Sequence, residues 1–251
     1  MRRLAAGAAA LALLAAGCGG PNPKSVLRDT ASNLGKIRSG TLDVHLIVTP
    51  QGSAGRQPFG FILRGPFRIV PGSLATLHVD YTQIASGERA TATLVSSGSS
   101  GYVEVGGKRT PLTESQKTIL RAATAQVTGS NGQLVVDRWV RHPKASVDGD
   151  VDHVTGELDA VAATTDLLAL LRLSGRAVPT LTEADKKRLG EAVRDSSFDL
   201  RTGKDDKLLR DLRLGVDFAF DVPSDLKAAL GSLVGAKIDF RLAVAHPNGH
   251  A

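Results

Sequence analysis

Along the first half of the chain, apolar and polar residues alternate. Leu42, Val44, Leu46 and Val48 are interleaved with Asp43 and His45; Phe59, Phe61 and Leu63 follow, then Leu77, Val79 and Tyr81. A period of two predicts strands with one apolar and one wet face. Thr91 to Val95 and Tyr102 to Val105 are shorter strand candidates, separated by Ser/Gly-rich residues 96–101, which read as a turn. The alternation is clearest in the last third. There Leu208, Leu212, Leu214, Val216, Phe218 and Phe220 share one parity, while Asp211, Arg213, Asp217 and Asp221 hold the other. It returns in Ile238, Phe240, Leu242 and Val244 against Lys237, Asp239 and Arg241.

Helical spacing interrupts this pattern. Ser25 to Ile37 predicts a first helix, with Ser25 as cap and Leu27, Thr30, Ala31 and Leu34 on one side. Thr113-Glu114-Ser115-Gln116 has the form of a capping box ahead of a stripe formed by Ile119, Leu120, Ala123 and Val127. Val161 to Leu171 is a strongly apolar helix ending near Gly175, and another helix opens at Thr182, with Asp185 three residues on and Leu189 and Val193 inward. Between the second and third helices, Asp148-Gly149 flanked by Val147 and Val151 marks a hairpin turn.

Long strands with one apolar face form an antiparallel sheet covered on one side. At about 3.4 Å per residue the strand from Leu208 would span roughly 40 Å, and strands of that length twist and curl. The expected fold is therefore α+β: a strongly curved antiparallel β-sheet, or half-barrel, with helices covering its concave face. Nine residues are expected to line a cavity on that face: Phe61, Leu63, Val79, Tyr81, Leu214, Val216, Phe218, Phe240 and Leu242.

The N-terminus adds a location. Met1-Arg2-Arg3 precedes fourteen small or apolar residues, Leu4 to Gly17, and then the lone cysteine, Cys18. These are the parts of a signal peptide, and the apolar run is too short to span a bilayer as a helix. Leu14-Ala15-Ala16-Gly17-Cys18 resembles the bacterial lipobox. Residues 1–17 are then removed and Cys18 becomes an acylated N-terminus, with acyl chains such as palmitate anchoring the protein to the extracytoplasmic face of the cell membrane. Residues 18–23 form a lipidated cysteine and short tether that reaches less than about 20 Å, and 24–251 form one domain. Removal of Arg2 and Arg3 leaves 29 basic and 25 acidic side chains, a mild positive charge without a block of like sign. The chain lacks the interleaved basic and aromatic residues that grip nucleic acid.

Four segments resemble mycobacterial-type lipoproteins of the LppX/LprAFG group, which are similar in fold to the LolA carriers. They are a lipobox with a short tether and helix leading into Ile37-Arg38-Ser39-Gly40-Thr41-Leu42, and Gly101 to Lys108 before the central helix. The others are Trp139 to Lys144 leading into the hairpin Val147 to Leu158 and the helix from Asp159, and the hairpin from Asp199-Leu200-Arg201 to Leu208-Leu209-Arg210. The resemblance implies a cavity that accommodates acyl chains of a lipid or glycolipid, an envelope transporter as partner, and a monomer. It brings no catalytic residue and no cofactor.

Reactive constellations do not emerge from the sequence. The histidines at 45, 78, 142, 153, 246 and 250 are scattered, without the His-Glu-x-x-His pattern of zinc hydrolases. Asp148-Gly149-Asp150-Val151-Asp152 begins like a calcium loop, but His153 stands where glycine is needed and Asp159 where a bidentate glutamate is needed. Gly231 to Lys237 misses the phosphate-loop spacing and reads as a turn, and no Gly-x-Ser-x-Gly elbow exists. Trp139 is read as core, and Lys186, Lys187, Arg188 and Arg194 as a solvated face. Two functions remain. One is a lipid carrier. The other is a non-enzymatic structural or sensory lipoprotein whose cavity is filled by helix residues such as Leu167, Leu168, Leu170 and Leu171.

Overall fold

The computed structural model describes residues 20–52, 57–85, 87–128, 135–173, 180–219 and 234–249. The signal segment, Cys18, Gly175, Phe220, Asp221, His250 and residues 231–233 lie outside the described residues.

Eleven antiparallel strands form one open sheet: β1 (Ser39–Gln51), β2 (Phe59–Arg68), β3 (Leu74–Ala85), β4 (Glu88–Gly98), β5 (Ser100–Val105), β6 (Lys108–Pro111), β7 (Val140–Asp148), β8 (Val151–Leu158), β9 (Val193–Gly203), β10 (Leu209–Ala219) and β11 (Gly235–Ala245). Their order across the sheet is β6-β5-β4-β3-β2-β1-β11-β10-β9-β8-β7. Every neighbouring pair but one is consecutive in sequence, so the sheet is two meanders, β1–β6 and β7–β11. They are sewn together by the eleven-residue ladder from Thr41↔Ala245 to Gln51↔Gly235. The sheet is a curved half-barrel, with the helices α1 (Pro23–Asn33), α2 (Glu114–Thr128), α3 (Ala160–Leu173) and α4 (Glu183–Ala192) beside it.

Local chemistry explains the ends of these elements and corrects several sequence expectations. The cap of α1 is Asn22 rather than Ser25: its carboxamide oxygen accepts from the backbone N–H groups of Lys24 and Ser25, and Pro23 begins the helix. Proline at the first helical position gives up an N–H that has no partner there. Thr113 and Gln116 do form the reciprocal box ahead of α2, but Ile119 is exposed and Leu120 is half-buried instead. Thr182 and Asp185 cap α4 in the same way. Val193, expected on that helix, opens β9.

Residues 96–101 are mostly strand, because β4 continues to Gly98 and β5 starts at Ser100. Gly235, Ala236 and Lys237, expected in a turn, already belong to β11. The apolar ribbon of β10 breaks parity at Arg210: Leu209 pairs Thr202 and Asp211 pairs Arg201, so an irregularity brings Leu209 to the face of Leu212. Strand neighbours without this bulge would have turned Leu209 to the wet side.

Gly60 on β2 holds a φ of 154°, and a Cβ there would overlap the carbonyl oxygen of Leu46. Gly60→Ala must therefore push β2 off β1. We expect a loss of about 2–4 kcal/mol, the sum of overpacking and backbone strain, measurable as a lower urea midpoint.

The wet face of the sheet carries an ionic lattice. Arg241 bridges Asp43 and Asp211, at 3.2 and 3.1 Å, and Arg64 and His45 also meet Asp43, at 3.0 and 2.6 Å. Burial alone would raise the Asp43 and Asp211 carboxyls. The hydrogen bonds and charges of Arg64 and His45 on Asp43, and of Arg241 and Arg213 on Asp211, outweigh it and hold both below the ordinary value of 3.8. A carboxyl whose folded pKa is depressed contributes stability above its unfolded pKa and loses it as pH falls through the folded value. Thermal midpoints should therefore change little through these groups from pH 7 to about 5 and drop below about pH 4. Arg241→Gln should shrink that acid-dependent drop.

Candidate functional site

Cross-strand register shows which side chains share the dry face. One row runs Tyr81, Leu63, Val44, Leu242, Leu212, Leu200, Val154 and Ala145 from β3 to β7. The next runs Phe61, Leu46, Phe240, Leu214 and Phe198. Beside it lie Phe59, Val48, Ile238 and Val216. Val79 and Phe218 fall on the same parity as these rows. All nine residues expected to line a cavity therefore stand on one face of the sheet.

Coverage of that face is uneven. At the β7–β9 end, Val154 is 0% exposed and Phe198 2%, packed in a core with Val26 and Leu27 of α1, Ala160 and Ala163 of α3, and Trp139. Leu214, Phe218 and Leu242 lie against this core and Val216 is inside it. Toward β1 and β2 the rows thin out: Val44, Leu46, Val48, Phe61, Leu63, Ile238 and Phe240 are all half-buried. Phe59 is 49% exposed and Tyr81 39%. Phe61 and Tyr81 stack with ring centroids 6.0 Å apart. Val79 is buried. A central stretch of apolar floor thus keeps water contact, although it sits in the middle of an eleven-stranded sheet.

The helix residues offered as filling do not supply uniform cover. Leu167 is exposed and Leu168 half-buried; the side chains of Leu170 and Leu171 lie outside the described ones. Two concavities of about 380 Å³ lie elsewhere. One, between β8, α3, α4 and β9, is lined by Arg141, Asp159, Arg194 and Asp195 among others, and Arg141 and Asp159 pair within it at 2.8 Å. The other lies at the β4–β6 corner, where Arg109 sits 4.8 Å over the Tyr102 ring.

Several of the chemistry-bearing residues named from the sequence have structural partners. Trp139 is buried and its indole N–H donates to Asp166 at 2.9 Å. Asp152, in the calcium-like run, is buried against the Lys207 ammonium, while His153 meets Asp199 at 2.9 Å. Lys186 and Lys187 pair with Glu183 and Glu191 of their own helix. Among the described residues, no group of three or more His, Cys, Asp and Glu could hold a metal ion. No described helix is long and apolar enough to cross a membrane.

One residue that sequence reasoning passed over stands at the end of the dry face. Arg38 precedes β1 on the parity of Gly40 and Leu42, and its Nη1 is shut off from solvent without a hydrogen-bond partner. In the sequence it is one more cation before a strand. Nothing there distinguishes it from exposed Arg68, its diagonal neighbour on β2.

The sequence matches no protein-family model and no curated protein. Among solved structures the chain is similar to LprF of Mycobacterium bovis, at 14% identity and a TM-score of 0.41 over 90% of this chain and 94% of that one. It is also similar to the lipoprotein LppX of Mycobacterium tuberculosis, at 13% identity and a TM-score of 0.36 over 91% and 96%. A LolA-superfamily protein of Nitrosomonas europaea aligns at 10% identity and a TM-score of 0.23 over 88% and 93%.

Proposed function

We propose that the protein is an exported lipoprotein that binds lipid acyl chains on the dry face of its half-barrel, for transport or presentation at the membrane that anchors it through acylated Cys18. The observation that carries this reading is the uneven coverage of one apolar face. The β7–β9 end is closed by α1, α3 and Trp139, whereas the floor from Val44 to Phe61 and Phe240 stays half-covered. Apolar area left in contact with water costs about 25 cal/mol per Å² relative to burial. Acyl chains laid on this floor would remove that cost without any directional chemistry. The signal-like N-terminus and the cysteine that follows it support delivery to a membrane surface, where such chains are available.

Phe61, Leu63, Tyr81 and Phe240 are the residues that would touch the ligand first. Val79, Leu214, Val216, Phe218 and Leu242 would form its floor and end wall. The alternative of a self-filled cavity is favoured only at the closed end. Native mass spectrometry of the purified protein, followed by organic extraction, tests the proposal. A stoichiometric lipid in the extract is the expected result. An empty protein that also takes up no fluorescent acyl probe would reject it.

A further inference from the structure

We propose that Arg38 holds the anionic head of the bound lipid, so that the ligand class is acyl chains ending in a phosphate or carboxylate rather than neutral lipids. This rests on the lipid-binding reading and adds to it a polarity and a direction.

The argument begins with burial. A guanidinium carries five N–H donors and stays charged throughout the pH range of folded proteins. Arg38 keeps Nη1 out of solvent with no acceptor found for it. A buried donor left unpaired costs about 1–3 kcal/mol, and more when it is charged, so such a group calls for an occupant.

Position supplies the next step. Arg38 is on the parity of Gly40, Leu42 and Val44, the dry side of β1, whereas Thr41 and Arg68 on the other parity are exposed. It therefore stands at the Leu42 end of the half-covered part of β1. From Leu42 to Val48, six residue steps at about 3.4 Å give roughly 20 Å of apolar floor. One acyl chain occupies about half of a 30 Å bilayer core, or about 15 Å. Leu42 is four steps, about 14 Å, beyond Arg38, so a chain whose head sits at Arg38 would cross Gly40 and end on that floor.

The backbone that carries the guanidinium is held in place. The Arg38 backbone N–H donates to Asn248 Oδ1 at 2.7 Å, its carbonyl accepts from the Ile69 N–H at 2.6 Å, and the Asn248 side chain donates in turn to the Lys36 carbonyl at 3.0 Å. Anchoring the backbone beneath a charged donor before the ligand arrives reduces part of the ordering cost of binding. Exposed Lys36 and Arg68 flank it, and neither Leu34–Thr41 nor Phe67–Val79 contains an acidic residue. The approach to this end is thus positive. Arginine matches phosphate and carboxylate oxygens in a bidentate fork, whereas a neutral glycerol head would leave the charge unpaired.

The test uses the purified full chain and two probes that differ only in the phosphate: 1-oleoyl lysophosphatidic acid and 1-mono-oleoylglycerol. Titration calorimetry should give the phosphate-bearing probe at least tenfold tighter binding. Arg38→Met should remove that preference and leave mono-oleoylglycerol binding within about twofold, while Arg38→Lys should restore part of it. Inorganic phosphate alone should bind weakly and not compete at millimolar concentration. Equal wild-type affinities for the two probes would overturn the proposal, and this arm needs no variant to fold. Tight binding of inorganic phosphate would overturn it by making Arg38 a free-anion site. Mono-oleoylglycerol binding with no phosphate preference would sink the head-group assignment while sparing the lipid-binding reading; binding of neither probe would sink both.

Discussion

Phe61→Asp combined with Phe240→Asp is expected to abolish uptake of a fluorescent acyl probe, a loss of at least 100-fold, while the thermal transition stays within a few degrees of the parent protein. Phe198→Asp should instead prevent folding. The three residues lie in a single cross-strand row, Phe61-Leu46-Phe240-Leu214-Phe198, so their chemistry and their face of the sheet are the same. Only the cover differs. Phe198 is 2% exposed under the packed helices, and Phe61 and Phe240 are half-buried. A carboxylate at 198 would have to give up its hydration, at a cost of several kcal/mol, which is a large part of a typical total stability of about 5–15 kcal/mol. A carboxylate at 61 or 240 can keep water while the floor is empty. It meets the desolvation cost only when an acyl chain arrives, and each lost phenylalanine also gives up about 1.5–3 kcal/mol of apolar contact. Near-normal uptake by the double variant, measured by probe fluorescence, would move the ligand off this face. Failure of the double variant to fold would make these residues core.

The same row shows what the sequence could and could not disclose. Alternation of apolar and polar residues is a local property, and it identified the dry face from β1 to β11, including all nine expected lining residues. Consecutive strands joined by turns pair as neighbours, so most of the sheet order was also legible. The β1–β11 ladder was less so, because it joins residues about 200 positions apart that no turn connects. Coverage was not legible at all. Phe61 and Phe198 are the same residue type on the same parity, and which of them lies under a helix depends on where α1 and α3 dock. Bulges were hidden for a related reason: an uninterrupted reading from Leu208 to Phe220 gives no sign that Arg210 breaks the ladder. The cap of α1 was misplaced because Ser25 and Asn22 are both good caps, and the deciding residue is Pro23, which fits the first helical position. Arg38 was invisible because an unpaired cation differs from a solvated one only in what surrounds it.

Lys207→Met should lower stability by about 3–5 kcal/mol, the usual cost of leaving one partner of a buried ion pair alone, and reduce the thermal midpoint by roughly 10 °C for a chain of this size. Asp152 is 1% exposed and sits on β8 opposite Thr202 of β9, at the end of the dry face where the β8 and β9–β10 turns meet. The Lys207 ammonium reaches back to its carboxylate from a backbone with φ of 52°, on a turn tied by neighbouring bonds. The Leu208 carbonyl accepts from the Thr202 hydroxyl at 2.9 Å and from the Gly203 N–H at 3.0 Å, and the Lys204 N–H donates to the Asp150 carbonyl at 2.8 Å. The lysine is therefore the countercharge that allows an aspartate to be buried beside Leu209 and Val154. Methionine keeps the length of the side chain and removes its charge, so the carboxylate is left in an apolar corner. Adding Asp152→Leu to Lys207→Met should recover most of the lost stability, because replacing both partners of a buried pair with apolar residues is often neutral. A double-mutant cycle by urea unfolding measures both effects. A single variant within about 1 kcal/mol of the parent would mean that Lys207 is not what allows Asp152 to be buried.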